Sequence, residues 1–289
     1  KESKSSSHGS PLGTEEVELT RKNLKWNNEP FDIPENLLLE WRSVADRNKE
    51  TLLNWHKRNK SILHSLEFKK MYSMDFDSKL SKAILNFKKI HINDNTSCAT
   101  RKASELSLEL LSNYVNNLIG GSADLTGSNN TKTKTMSVLD SSNFNGNYIY
   151  YGVREHAMAA IMNGIALHGG LRPFGGTFLV FADYERPALR LGAIQKVRVI
   201  HEFTHDSFFV GEDGPTHQPI EHTMALRTIP DLNVFRPADA KETAVCFRLA
   251  MENKNNPSAL LLTRQGVPVL DQDYEELEAN VRRGAYIVK

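Results

Sequence analysis

Apolar residues change their spacing near residue 100. Across residues 35–71, Leu37, Leu38, Trp41, Leu52, Leu53, Trp55, Ile62 and Leu63 form intermittent apolar faces among Lys, Glu and Asn. Three- and four-residue spacing of this kind predicts an exposed helical arm. Residues 79–92 continue it, and 91–97 read as a linker. Ahead of the arm, residues 1–7 are a polar, Ser-rich lead-in. His8-Gly9-Ser10-Pro11-Leu12-Gly13 is a turn-forming cluster, residues 14–18 read as a capped helix start, and 30–34 as a loop.

From Thr100 onward, short β-branched or aromatic runs alternate with helical periods. Helix-like 103–111 precedes strand-like 115–119, which ends in Gly120-Gly121-Ser122-Ala123-Asp124. The run 148–151 reads as a buried strand. Gly152 breaks it, and Glu155 opens a helix in which Ala157, Met158, Ile161, Met162 and Ile165 recur at helical spacing. The run 197–203 ends in Thr204-His205-Asp206, 234–235 leads to a helix over 240–251, and 259–262 ends in Thr263-Arg264-Gln265. This alternation predicts an α/β fold, a parallel sheet of about six strands flanked by helices and preceded by the helical arm. The predicted division is 1–92 and 93–289. Ligands of an open parallel sheet bind beyond the carboxyl ends of its strands. Asp124, Glu155, His205 and Arg264 fall at such ends and share one rim.

Composition narrows the classes. A net charge of +1 over 289 residues argues against a nucleic-acid or membrane surface. No apolar run approaches the ~20 residues needed to span a bilayer. Cys98 and Cys246 lie far apart with no metal-ligand spacing. They read as structural thiols of a reducing compartment, here the cytoplasm. The chain starts at Lys1 rather than Met and stops within a strand-like GAYIVK, so both ends look cut. Asn95-Thr96-Ser97 and Asn129-Asn130-Thr131 match the glycosylation pattern, a chance match in so Asn-rich a chain.

Three stretches carry candidate chemistry. His201-Glu202-Phe203-Thr204-His205 matches the zinc-protease pattern, which needs a helix. Here it continues a β-branched run, where two histidines four residues apart lie ~13 Å from each other, too far for one zinc. No metal ligands are assigned. Residues 211–219 (GEDGPTHQP) read as a loop whose ionisable groups, beside His205, favour a polar pocket over an ordinary turn. Phe178, Phe181 and Tyr184 are three residues apart, on one face if helical. They serve either core packing or, with Glu155, a pocket for a flat heterocycle.

YGVREHAM, GEDGPTHQP and the opening HGSPLGTEEV together resemble transketolase, a thiamine diphosphate enzyme, in order and over most of the chain. The resemblance implies the tail of the diphosphate-binding domain followed by the pyrimidine-binding domain. Glu155 would hydrogen-bond the cofactor's pyrimidine ring and so stabilise the tautomer that forms the nucleophilic ylid. Phe178, Phe181 and Tyr184 would line the pyrimidine pocket, with Asp124 near its edge. His8 and His217 match histidines that shuttle protons at the sugar, a task suited to imidazole, which titrates near neutral pH. Asp213 matches a carboxylate that reads a substrate hydroxyl. Arg101, Ser128, His205 and Arg264 match the group that holds the sugar phosphate. Gly175-Gly176-Thr177-Phe178 is more Gly-rich than the family pattern.

The implied activity is transfer of a two-carbon ketol unit between sugar phosphates in the pentose phosphate pathway. The cofactors are thiamine diphosphate and Mg2+, with the magnesium and diphosphate site before His8 and a further domain beyond Lys289. Family members are homodimers whose sites combine domains of both subunits. Two other readings stay open: another thiamine diphosphate enzyme, such as deoxyxylulose-phosphate synthase or a dehydrogenase component, and a non-catalytic pyrimidine-type binding module. Glu155 argues against the second.

Overall fold

A computed structural model describes residues 2–73 and 97–288. They divide into two compact units, one ending at Ser65 and the other beginning at Leu66. The predicted 92/93 boundary, the helix over 79–92 and nearly all of the 91–97 linker lie outside the described residues.

The first unit holds α1 (Thr14–Asn23), α2 (Glu35–Arg47) and α3 (Lys49–Leu63). The predicted capped start at residue 14 is corrected in detail. Gly13 occupies the cap position, no side chain caps the turn, and Glu15 and Glu16 complement the helix dipole instead. The arm is also not continuous, because Asn48 both ends α2 and starts α3. None of these three helices buries a residue, and Trp41 is 79% exposed.

The second unit begins with α4 (Leu66–Ser73). After residue 96 come β1 (Cys98–Ala99), α5 (Thr100–Ser112), β2 (Leu118–Ser122), α6 (Thr126–Asn129) and β3 (Tyr148–Tyr150). Next are α7 (Glu155–His168), β4 (Arg172–Phe178), α8 (Ala182–Ile194), β5 (Ile200–Thr204) and α9 (His222–Arg227). The unit closes with β6 (Asn233–Phe235), α10 (Ala240–Glu252), β7 (Ser258–Leu262), β8 (Gly266–Val267) and α11 (Tyr274–Arg283).

Six strands form one parallel sheet in the order β3-β2-β4-β5-β7-β6. β1 and β8 pair separately and antiparallel. The central strands are buried on both faces, as in a sheet covered by helices on both sides, and β7 is apolar on both, whereas β5 carries buried His201 and Glu202. Alternate residues of β7 show its two faces. Leu260 and Leu262 pack with Phe174, Ile200 and Phe247, whereas Ala259 and Leu261 pack with Leu189, Phe203 and Leu226. Fully burying one such Phe or Leu is worth about 1.5–3 kcal/mol.

Two glycines explain how the centre closes. A β-carbon at Gly120 would collide with the Phe174 ring, and one at Gly175 would lie 2.7 Å from Met162 Sδ. The Gly-rich run before Phe178 is therefore where α7 sits down on β4. Gly120 also lets β2 run to Ser122, past the predicted end at residue 119. Other predictions shift as well. β3 is an edge strand rather than a buried one, with Tyr150 57% exposed, and residues 285–288 of GAYIVK form no strand. β5 starts at Ile200, three residues later than predicted.

From β2 the chain steps outward to β3 and then returns to the other side of β2 as β4. That reversal opens a crevice at the carboxyl ends of β2 and β4, the usual ligand position in such a sheet.

Candidate active site

β4 ends at Phe178, and a 3-10 turn (Leu179–Phe181) leads into α8. The single helical face predicted for Phe178, Phe181 and Tyr184 is therefore corrected, since Phe178 completes a strand. The turn still sets the rings in series. Phe178 and Phe181 stack with centroids 5.7 Å apart and planes at 4°, and Phe181 meets Tyr184 at 6.1 Å. Phe178 is buried, while Tyr184 is 66% exposed.

β5 ends at Thr204, and His205 follows with a left-handed φ of 58°. Such a backbone is uncommon outside glycine and Asn/Asp/His and marks a constrained position. The His205 ring lies across Phe178, with centroids 3.7 Å apart. His217 ends the 3-10 turn Pro215–His217 and stands edge-on to Phe181 at 5.3 Å and to Phe178 at 6.2 Å. The GEDGPTHQP loop and the ends of β4 and β5 thus meet in one ring cluster.

The guanidiniums arrive from α5 and the end of β7. Thr100 N–H donates to Thr263 Oγ1 at 3.0 Å, and Thr263 N–H donates to Thr100 Oγ1 at 2.7 Å. This reciprocal clamp fixes the first turn of α5 against the strand end that carries Arg264. Arg101 Nη1 donates to the Ser128 carbonyl at 2.6 Å, and Arg264 pairs with Glu212. Burial and the adjacent Arg264 lower the Arg101 pKa. Burial, then Arg101, Arg264 and His217, push His205 down to about 4, so its imidazole is neutral at pH 7. Glu212 meets the charge of Arg264, whereas Arg101 faces a neutral carbonyl and an uncharged imidazole, so the site keeps an unmatched positive charge that an oxyanion such as phosphate would meet through forked hydrogen bonds.

Glu155 is the first residue of α7, where the helix dipole favours a carboxylate. The residue as a whole is 9% exposed, yet its carboxylate oxygens are not among the fully buried side-chain atoms left without a hydrogen bond, so they stay reachable from outside. A carboxylate on a largely buried residue whose oxygens stay reachable fits a ligand that brings its own donor. Asp124 follows β2 with φ 63° and is exposed, as is Asp213 in its loop; both stand outside the ring and guanidinium contacts. His8 belongs to the first unit and is exposed.

The zinc-protease pattern disperses. His201 Nδ1 meets Glu185 Oε1 at 2.6 Å in the interior, whereas Glu202 Oε2 accepts from Ser104 Oγ at 2.7 Å. Among the described residues, Asp183, Glu221 and His222 bring possible ligand atoms within 4.8 Å, but Arg186 already neutralises Asp183. Thr263, Thr204 and Asn129 were given no site role by the sequence, and Glu212 figured only as one ionisable group of its loop. Asn129 is fully buried and so closed to a glycan. Its burial had no signal in so Asn-rich a chain.

A doubly wound sheet with a largely buried glutamate at one helix start and stacked rings at its rim belongs to the class of cofactor-binding α/β domains. Residues 96–269 match the profile of the transketolase pyrimidine binding domain, and residues 1–76 that of the transketolase thiamine diphosphate binding domain. The chain belongs to the transketolase family. It is 45% identical to the transketolase of Sinorhizobium medicae (strain WSM419) over 282 residues, 98% of this chain and 40% of that protein. The solved transketolase from Leishmania mexicana superposes with a TM-score of 0.82 at 36% identity, covering 96% of this chain and 41% of that one. A Pichia stipitis transketolase solved with sedoheptulose 7-phosphate gives 0.81 at 34% identity, covering 93% and 41%. The chain thus spans about two fifths of the length of the relatives it matches. Among the described residues no helix is long and apolar enough to cross a membrane.

Proposed function

We propose that this chain forms the pyrimidine-binding half of a transketolase active site. The whole protein then transfers a two-carbon ketol unit from a ketose phosphate to an aldose phosphate in the pentose phosphate pathway, as a cytoplasmic homodimer. Residues 1–92 are the tail of the diphosphate-binding domain and a helical linker, and residues 93–289 the pyrimidine-binding domain, a division supported by the order of the two profile matches. Magnesium and the diphosphate are held outside these residues.

The observation that carries the reading is Glu155, a largely buried residue at the start of α7 whose carboxylate oxygens stay reachable. Glu155 hydrogen-bonds the pyrimidine ring, and the Phe178–Phe181 pair supplies a flat apolar wall. Asp124 and Tyr184 border that pocket. Thiamine diphosphate, when bound, supplies the nucleophilic carbon and the electron sink. His217, edge-on to the phenyl pair, and His8 move protons at the sugar carbonyl and hydroxyls. Asp213 reads a hydroxyl. Arg101, Ser128, His205 and Arg264 grip the phosphate, a role supported by the positive surroundings that keep His205 neutral.

Substituting Glu155→Ala in the full-length enzyme is expected to abolish ketol transfer, and Glu155→Gln to come close to abolishing it. Turnover near that of the parent enzyme in either variant overturns the assignment.

A further inference from the structure

His205 is not held by its own strand alone. Leu125 N–H and Asn129 Nδ2 both donate to Ser122 Oγ, at 3.2 and 3.0 Å. This fixes the Asn129 amide with Oδ1 facing Thr204, whose Oγ1 donates to it at 2.7 Å. The single hydroxyl proton of Thr204 is thereby committed. Toward His205 Nδ1, 2.9 Å away, Thr204 Oγ1 has only lone pairs to offer. Nδ1 must therefore carry the ring proton and donate it to Thr204, and Nε2 is the nitrogen left for the ligand, where the ring takes up a second proton and donates once a phosphate dianion offsets the neighbouring guanidiniums. Asn129, Thr204 and Ser122 are all fully buried, so water does not compete for these bonds. The residue before Asn129 anchors the other side of the same site, since the Ser128 carbonyl receives Arg101 Nη1.

We propose that Asn129 and Thr204 are positioning residues for phosphate recognition: the buried relay Ser122–Asn129–Thr204 sets the tautomer and ring orientation of His205. In this account the four-residue turn α6 aligns two phosphate-binding groups at once, Arg101 through its backbone and His205 through a side chain. The proposal rests on the phosphate-binding role given to His205 above.

The test uses the full-length enzyme with a matched pair of donors, xylulose 5-phosphate and xylulose, which differ only in the phosphate. Thr204→Val keeps the β-branched shape of the strand residue and removes the hydroxyl. It is expected to raise KM for xylulose 5-phosphate roughly three- to tenfold, the scale of one hydrogen bond, while kcat and the KM for xylulose change less than about twofold. Thr204→Ser restores the parent value, and Asn129→Ala reproduces the Val phenotype. In a His205→Ala background, which itself raises KM only for the phosphorylated donor, Thr204→Val has no further effect. An undiminished Thr204→Val effect in that background, or an equal rise for both donors, overturns the relay. A His205→Ala variant that treats both donors alike removes the phosphate role itself, which is a separate failure.

Discussion

The first unit spreads Leu37, Trp41, Leu52 and Trp55 over helices that bury nothing, whereas the second buries Tyr148, Phe174, Phe203 and Phe247 around one sheet. Both carry apolar residues at helical spacing, so the period alone does not distinguish them. The difference lies in what meets the apolar face. In the second unit the sheet presents alternating apolar residues to helices on both sides, and each helix gains a partner. In the first, helices of 10–15 residues stand with exposed apolar stripes, lengths at which an isolated helix is marginal in water. Such stripes need a covering surface that the unit does not itself supply. The polar rim that we read as a site grows on the unit with its own core, because only a packed scaffold can hold His205, Arg101 and Phe178 in fixed register.

The sharpest way to break this comparison is to truncate one large side chain in each unit. Phe174→Ala empties a fully buried position and is expected to cost about 3–5 kcal/mol. Trp41→Ala, at an exposed position, is expected to stay within about 0.5 kcal/mol. Urea unfolding of this chain measures both, and equal losses would show that the first unit has a core of its own.

A smaller effect comes from the polar group inside the second unit's core. Complete burial pushes the Glu202 carboxyl up to about 8, and the hydrogen bond from Ser104 offsets only part of that. The unfolded chain releases this proton near pH 4.5, while the folded chain keeps it to about pH 8. Stability from this group is therefore full below pH 4.5 and is lost as pH rises toward 8. His205 acts at the other end. Its lowered pKa means that stability is kept above pH 6.5 and lost as pH falls through 4. Glu202→Gln is expected to flatten the decline between pH 6 and 8, a change on the order of 2 kcal/mol. An unchanged thermal-denaturation profile over that range would contradict the burial argument.

Much of this was legible in the sequence. The two apolar periods gave the parallel sheet and its helices, and Glu155 fell where a strand run met a helical one. The failures have physical causes. Gly120 reads as a strand breaker until Phe174 is seen to occupy the space of its missing side chain. Tyr148-Ile149-Tyr150 has the composition of a buried strand, yet edge position is a property of sheet order, which no local run encodes. Phe178 and Phe181 stack across a strand end and a 3-10 turn, a geometry that helical spacing mimics. The Asn129–Thr204–His205 relay joins residues 75 positions apart, and nothing about an Asn in a polar stretch announces that it is buried.

The contrast between the units is tested most directly by native-state hydrogen exchange on this chain, followed peptide by peptide. Amides of β2, β4, β5 and β7 are expected to exchange only through global opening, several orders of magnitude more slowly than those of α1, α2 and α3, which open locally. Equal protection across α1 to α3 and the central strands would contradict the account.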